Sequence, residues 1–191
     1  MLKKTSLQRM TQPMQPLRQP SSPPVLVLGL GNVLLGDDGI GPELLRLVRD
    51  KFIQVPQVEC IDGGTQGLAL LGYLAGRTTL VLLDAFAAGN PPGEVTILNK
   101  SEITAASARH ATTAHEGNAS ELLAVAQLLG ELPEQVILVG IEPENVRTQL
   151  GLSPKVAAAL PAAFACACQI IDQSLRAPAN QISGGQVPLA V

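Results

Sequence analysis

Short apolar segments alternate with helical patterns over residues 25–175, and this alternation constrains the fold more than any other feature of the sequence. VLVLGL (residues 25–30) is apolar without interruption, which is typical of a strand that is buried on both faces. GPELLRLVRDKF (41–52) follows, and its apolar residues recur at helical spacing along one stripe. Because buried strands and amphipathic helices alternate, the sequence predicts an α/β fold, a three-layer sandwich around a mostly parallel sheet.

The remaining segments complete this pattern. EVTILN (94–99) alternates polar and apolar side chains, which indicates a half-exposed strand at the edge of the sheet, where an antiparallel orientation is allowed. Pro161 lies inside the last helical pattern and predicts a bend there. The predicted strands are residues 25–30, 57–62, 78–85, 94–99 and 135–141, and the predicted helices are 41–52, 66–77, 118–130 and 153–175.

The two ends of the chain differ in composition from the region between them. Residues 1–23 are rich in Gln, Pro and Ser and lack the apolar segment of a secretory signal, so we predict a disordered N-terminal extension. Residues 177–191 are predicted to form a flexible tail, which leaves residues 24–176 as a single domain. No apolar segment approaches the roughly 20 residues that span a bilayer, so the sequence predicts a cytoplasmic protein without a membrane partner.

Charge and aromatic content argue against a nucleic-acid partner. The net charge is −3, aromatic residues make up 2% of the chain and Trp is absent. The chain therefore offers neither a basic surface nor aromatic platforms for base stacking. Cys60, Cys166 and Cys168 match neither a disulfide framework nor a zinc motif, and we interpret them as small buried apolar residues in a reducing compartment.

Polar residues follow the predicted strands at their carboxyl ends, which is where ligands bind in parallel α/β sheets. Asp37 and Asp38 lie in the glycine turn after the first strand, Asp62 ends the second strand and Asp84 ends the third. His115 lies in a later loop, immediately before a predicted helix. The topology therefore predicts that these five residues converge on one crevice.

Dinucleotide binding is the main competing interpretation of the glycine turn. GLGNVL carries two of the three fingerprint glycines, but Leu34 occupies the third position. The positive end of a helix dipole attracts phosphate, yet Asp37 and Asp38 already lie in that field and would repel a second anion. The sequence therefore disfavours nicotinamide or flavin binding.

The acids and histidines of the crevice differ in how strongly they indicate function. Aspartates in the first turn of a helix are common caps, and we assign that role to Asp37. Asp84 ends a strand without other charges, where a carboxylate requires a partner or a cation to offset its desolvation. His110 has no helical or strand register, whereas His115 lies beside Glu116 at the start of a helix.

Two carboxylates and one imidazole, without a nearby cysteine, form a ligand set for a borderline divalent cation. Imidazole suits nickel, zinc, copper or iron, and three ligands leave coordination positions open. HEGN (115–118) is not the HExxH motif of zinc proteases, and the chain contains no GxSxG nucleophile motif.

Five motifs occur in a fixed order along the chain: GLGNVLLGDDGIG, DGGTQG, LLDA, TTAHEGN and VGIEPE. Together they resemble the [NiFe]-hydrogenase maturation endopeptidases over residues 25–160. The resemblance implies a twisted five-stranded sheet between helices, and a protease that removes a C-terminal extension from the precursor of the hydrogenase large subunit after nickel insertion. It places the catalytic, metal-contacting residues at Asp38, Asp84 and His115, and the first of these acids is often Glu in that family.

The resemblance also implies how these residues act. Nickel that is already held by the substrate docks on them, so the enzyme is expected to have no tightly bound cofactor of its own. Polarisation of the scissile carbonyl and activation of a water both agree with open coordination positions. Asp62 either orients substrate or acts as a base, or it is a turn residue before two glycines. A self-sufficient metallopeptidase and a non-catalytic nickel-binding chaperone remain the alternative interpretations.

Overall fold

The computed structural model describes residues 23–109 and 116–176. Five strands form one sheet in the order β2-β1-β3-β5-β4, and β4 is antiparallel to β5 while the other pairs are parallel. The strands are β1 (Val25–Leu30), β2 (Val58–Gly64), β3 (Thr79–Ala85), β4 (Val95–Asn99) and β5 (Gln135–Ile141). The mostly parallel five-stranded sheet, with its antiparallel strand at one edge, confirms the fold predicted from the sequence.

Helices cover both faces of this sheet, so the molecule is the predicted three-layer sandwich. The α-helices are α1 (Ile40–Phe52), α2 (Leu71–Leu74), α3 (Lys100–Arg109), α4 (Glu116–Leu129) and α5 (Pro154–Arg176). The predicted extension at residues 1–23 lies, except for Pro23, outside the described residues, as does the predicted tail at 177–191.

Alternation along the central strands divides the apolar side chains between two cores, because successive residues of a strand point to opposite faces. One core consists mainly of valine and isoleucine side chains of the sheet packed under α1 and α5. The other consists mainly of leucine side chains packed under α2, α3 and α4. Burial on both faces explains why β1, β3 and β5 are uninterrupted apolar segments in the sequence.

The helix predicted over residues 66–77 is much shorter than expected. It consists of a 3-10 turn over Gly67–Leu70 followed by the single turn of α2. Gly67 and Gly76 both adopt positive φ angles, of 53° and 74°, which are incompatible with a continuous α-helix. The helical conformation therefore begins at Gly67 and ends at Leu74, before Gly76.

Helix α3 lies in a region where no helix was predicted. Its start carries a reciprocal cap: the Asn99 side chain accepts hydrogen bonds from the N–H groups of Ser101 and Glu102, at 2.9 and 3.1 Å, and the Glu102 carboxylate accepts the N–H of Asn99 at 2.8 Å. This arrangement is a capping box with Asn in the first position. The sequence NKSE (99–102) therefore contained a signal for the helix start.

Helix α5 is, among the described residues, the one helix that is long and apolar enough to cross a membrane by length and composition alone. The expectation that no apolar segment reaches that length is therefore wrong for α5. Small and branched residues on one side of α5 are buried in the core that it shares with α1, and these are Val156, Ala163, Ala167, Ile170 and Ile171. Packing of this stripe accounts for the apolar residues on the buried side of α5, and 28% of its most apolar window is buried.

The start of α1 approaches the sheet so closely that only glycine fits. A Cβ atom on Gly41 would lie 2.0 Å from the carbonyl oxygen of Leu30 and 2.4 Å from that of Leu83. Both oxygens belong to backbone at the carboxyl ends of β1 and β3, which cannot move away like the end of a flexible side chain. Gly41 therefore fixes the height of α1 above the two central strands.

We expect Gly41→Ala to destabilise the protein by about 3 kcal/mol or more, because overpacking against a rigid backbone forces the helix away from the sheet. Urea unfolding followed by circular dichroism measures the change. Gly72→Ala is the matched control, since a Cβ at that helical position meets nothing within 4 Å and replacing a helical glycine typically adds about 0.5–1 kcal/mol of stability. Equal unfolding midpoints for the two variants would contradict the argument.

Candidate active site at the carboxyl end of the sheet

The glycine turn after β1 is a compact loop that packs on itself. Gly31 has a φ of 119°, and a Cβ there would lie 1.9 Å from the carbonyl oxygen of Asp38. The N–H of Gly31 donates to the carbonyl oxygen of Gly64, at 3.0 Å, which ties the turn to the end of β2. Glycine at this position therefore allows the loop to fold back so that Asp38 lies directly over the end of β1.

Asp38 is held in this loop by its carboxylate. The side chain is buried, and its Oδ2 atom accepts the N–H of Asn32 at 2.7 Å. Asp38 lies within a 3-10 turn, Asp37–Gly39, and this turn packs against β3. The backbone therefore orients the carboxylate, and the turn that carries it packs against the strand that contains the second candidate acid near its carboxyl end.

Asp84 is the penultimate residue of β3 and pairs with Gly140 of β5. Its side chain is half-buried, and Oδ1 accepts the N–H of Ala85 at 2.8 Å. The segments that carry Asp38 and Asp84 therefore meet at the carboxyl ends of the two central strands, where the topology places a ligand site.

Asp37 has a structural role, but it is not the helix cap that the sequence suggested. No side chain caps the 3-10 turn or α1. Instead the fully buried Asp37 carboxylate accepts three backbone N–H groups from residues more than 100 positions away: Glu144 at 2.9 Å, Asn145 at 3.0 Å and Ser153 at 2.6 Å. It thereby joins the glycine loop to the connection between β5 and α5.

Asp62 is exposed, and its Oδ1 atom accepts the N–H of Gly64 at 3.1 Å, so it stabilises the turn at the end of β2. This contact fits the interpretation of Asp62 as a turn residue. The prediction for His115 lies outside the described residues, as does His110, and α4 begins at Glu116. Over 23–109 and 116–176, no three His, Cys, Asp or Glu side chains form a group that could hold a metal ion.

Glu142 was not singled out from the sequence, although it borders the site. It is buried, and its carboxylate accepts the N–H groups of Ala88, at 2.7 Å, and Gly89, at 3.3 Å. These residues belong to the loop that follows Asp84. A glutamate directly after the apolar strand β5 was a usable signal, because a charge at the end of a buried strand requires partners.

The cysteines do not contribute to the site. All three are free thiols, and all three are partly buried rather than buried as predicted. Burial raises the pKa of the Cys60 thiol to about 11, and burial also raises the pKa of Cys168. Since the thiolate is the reactive form, these two side chains are poor nucleophiles and metal ligands at neutral pH, in agreement with their interpretation as small apolar residues.

A recess of about 240 Å³ lies beside the glycine loop, between it and the start of α5. Its lining is mostly apolar or glycine backbone and consists of Val33, Gly36, Gly39, Glu43, Gly151, Leu152 and Ala157. A larger cavity of about 530 Å³ is lined by Lys51 in the last turn of α1 and by residues of α5 from Phe164 to Arg176, towards the opposite end of the sheet. The smaller recess is therefore the one that adjoins the loop carrying Asp38.

Comparison with known proteins gives a consistent result. The family model HycI, described as hydrogenase maturation protease, matches residues 42–170. The hydrogenase 2 maturation protease of Escherichia coli K12 is 36% identical over 135 residues, which cover 70% of this chain and 82% of that protein. The hydrogenase expression/formation protein HupD of Rhizobium leguminosarum bv. viciae is 30% identical over 174 residues, covering 91% of this chain and 86% of its own.

A solved structure supports the same relationship. The hydrogenase maturating endopeptidase HybD from E. coli superposes with a TM-score of 0.70 at 33% identity, over 78% of this chain and 93% of that chain. Its fold agrees with the three-layer sandwich found here. On the family match, the sequence identity and the shared architecture, this chain belongs to the hydrogenase maturation protease family and is a peptidase.

Proposed function

We propose that the protein is a cytoplasmic endopeptidase that removes the C-terminal extension from the nickel-loaded precursor of a [NiFe]-hydrogenase large subunit. In this proposal the nickel belongs to the substrate and serves as the recognition element. It docks on Asp38, Asp84 and His115, so that cleavage follows metal insertion. The E. coli relative bears the name hydrogenase 2 maturation protease, which supports a hydrogenase precursor as the substrate class.

The observation that carries the proposal is the packing of the turn Asp37–Gly39 against β3, whose penultimate residue is Asp84. Two carboxylate-bearing segments that are far apart in the chain meet at the carboxyl end of the sheet, where ligands bind in this class of fold. Carboxylate oxygens and one imidazole are suitable ligands for nickel, although thiolates of the substrate would hold the ion more tightly. This difference in affinity favours a metal that arrives with the substrate and leaves with the product.

The residues of the chain have a positioning role in the proposed reaction. Oδ2 of Asp38 and Oδ1 of Asp84 each accept a backbone N–H, which fixes the orientation of the two carboxylates before the substrate arrives. The docked ion would place the scissile peptide next to the glycine loop and supply Lewis-acid polarisation to the carbonyl or to a water. Orientation of this kind is a major source of rate enhancement.

The direct test incubates purified protein with the large-subunit precursor, prepared with and without nickel, and follows the mass of the precursor. We expect loss of a small C-terminal fragment from the nickel-loaded sample alone. Cleavage of both samples would favour a metallopeptidase that is independent of the substrate's metal. Association with the precursor without any change in mass would favour a non-catalytic chaperone.

A further inference from the structure

We infer that Asp37 is a positioning residue, which sets the location of Asp38 relative to Asp84 by clasping the glycine loop to the β5–α5 connection (residues 142–153). This inference rests on the proposed function of Asp38 and Asp84. It goes beyond that function because it assigns a role to a fully buried carboxylate whose oxygens accept backbone N–H groups of the same chain.

The first observation is the number and origin of the hydrogen bonds that Asp37 accepts. Its Oδ2 atom receives the N–H groups of Glu144 and Asn145, and its Oδ1 atom receives that of Ser153. Hydrogen bonds to an ionised acceptor are stronger than neutral ones, and their loss in a buried site leaves unpaired donors. One side chain therefore holds both ends of the β5–α5 connection.

Backbone hydrogen bonds next to Asp37 also join the glycine loop to the β5–α5 connection. The N–H of Gly36 donates to the carbonyl oxygen of Gln149 at 2.8 Å. The N–H of Gln149 donates to the carbonyl oxygen of Leu34 at 3.0 Å. Isolated bridges join Leu35 to Gln149 and Gly36 to Val146. The glycine loop is thus bound on one side by the β5–α5 connection and on the other by β3.

Displacement of Asp37 would be transmitted to Asp38 directly. The two residues are adjacent in a three-residue 3-10 turn, and the peptide bond between them is rigid. The β5–α5 connection also holds the loop after Asp84, through the bonds from Ala88 and Gly89 to Glu142. The β5–α5 connection therefore contacts both the loop that carries Asp38 and the loop that follows Asp84. Asp37 makes the side-chain hydrogen bonds that join the Asp38 loop to this connection.

Asp37→Asn tests the inference, since the amide is nearly the same size but replaces one acceptor oxygen by a donor that faces an N–H group. The measurement is the ratio of the dissociation constants for nickel-free and nickel-loaded precursor, together with kcat and KM for cleavage. We expect the ratio to fall at least tenfold and kcat to fall about 10²-fold, as for a misplacement on the order of 1 Å. A ratio does not depend on the folded fraction, so simple destabilisation leaves it unchanged.

Glu59→Gln is the control. Glu59 forms an ion pair with the buried Arg77 at 2.5 Å near the start of β2, at the end of the sheet opposite the site. This variant should lower the unfolding midpoint and keep the ratio and kcat of the native protein. Asp38→Asn is assayed in parallel, because retention of nickel discrimination by that variant would refute the proposed function itself.

The outcomes separate the two ideas. Loss of discrimination in Asp38→Asn with native values in Asp37→Asn would overturn the positioning role alone. If Asp37→Asn does not fold, Asp37→Ser replaces it in the same comparison, since its hydroxyl oxygen still accepts one N–H group. Failure of both variants to fold would also overturn the inference, because it would show that Asp37 supports the whole fold rather than the placement of Asp38.

Discussion

Asp84→Ala is expected to lower the rate of precursor cleavage by about 10²–10³-fold, the usual consequence of removing one preorganised polar group from an active site. Asp84 lies at the carboxyl end of β3, the strand against which the turn carrying Asp38 packs. The loss should appear in kcat/KM for the nickel-loaded precursor, measured by mass spectrometry. Asp38→Ala and His115→Ala should produce losses of the same order, since each would remove one of the three proposed ligands.

The fold of Asp84→Ala should survive. The 2.8 Å hydrogen bond that Asp84 accepts comes from the next residue, and the side chain is only half-buried. Asp172→Ala is the matched control, because this acid lines the cavity at the far end of α5 and should leave cleavage unchanged. Cleavage at the native rate by folded Asp84→Ala would remove this carboxylate from the mechanism.

The sheet was predictable from the sequence to within a few residues, and the reason is physical. Strands β1 and β5 are buried on both faces, so their boundaries coincide with the ends of apolar segments. Helix α3 was not predictable from periodicity because its apolar residues are few, and over 100–106, where the structure describes the side chains, the buried ones are Ile103 and Ala106. Local chemistry, in the Asn99–Glu102 cap, was the better indicator there.

The site was predictable only in part. The strand ends predicted that the turn carrying Asp38 and the strand carrying Asp84 are neighbours, and the structure places the turn against β3, since the topology of a parallel sheet decides which loops are neighbours. The partners of Asp37 could not be predicted in the same way, because Glu144 and Ser153 follow it by more than 100 residues and no periodicity links them. A carboxylate in a first helical turn has local capping as its default interpretation, and here a long-range contact replaced it.

Removal of metal should affect the precursor and not the free enzyme. The proposed ligands are two carboxylates and one imidazole, which bind borderline cations less tightly than the substrate's thiolates do. Enzyme that is treated with a chelator and then freed of it should therefore cleave nickel-loaded precursor at the native rate.

The reciprocal arm is a precursor made without nickel, which untreated enzyme should leave intact. Both experiments use the same cleavage assay. Carry-over of chelator is detected by adding treated enzyme to a reaction that is already running, since free chelator would slow that reaction. Inactivation of the chelated enzyme, followed by recovery on addition of zinc or nickel to the enzyme alone, would show a resident metal. The carboxylates of Asp38 and Asp84 would then be ligands of the protein's own cofactor, and the dependence of cleavage on metal insertion would require a different explanation.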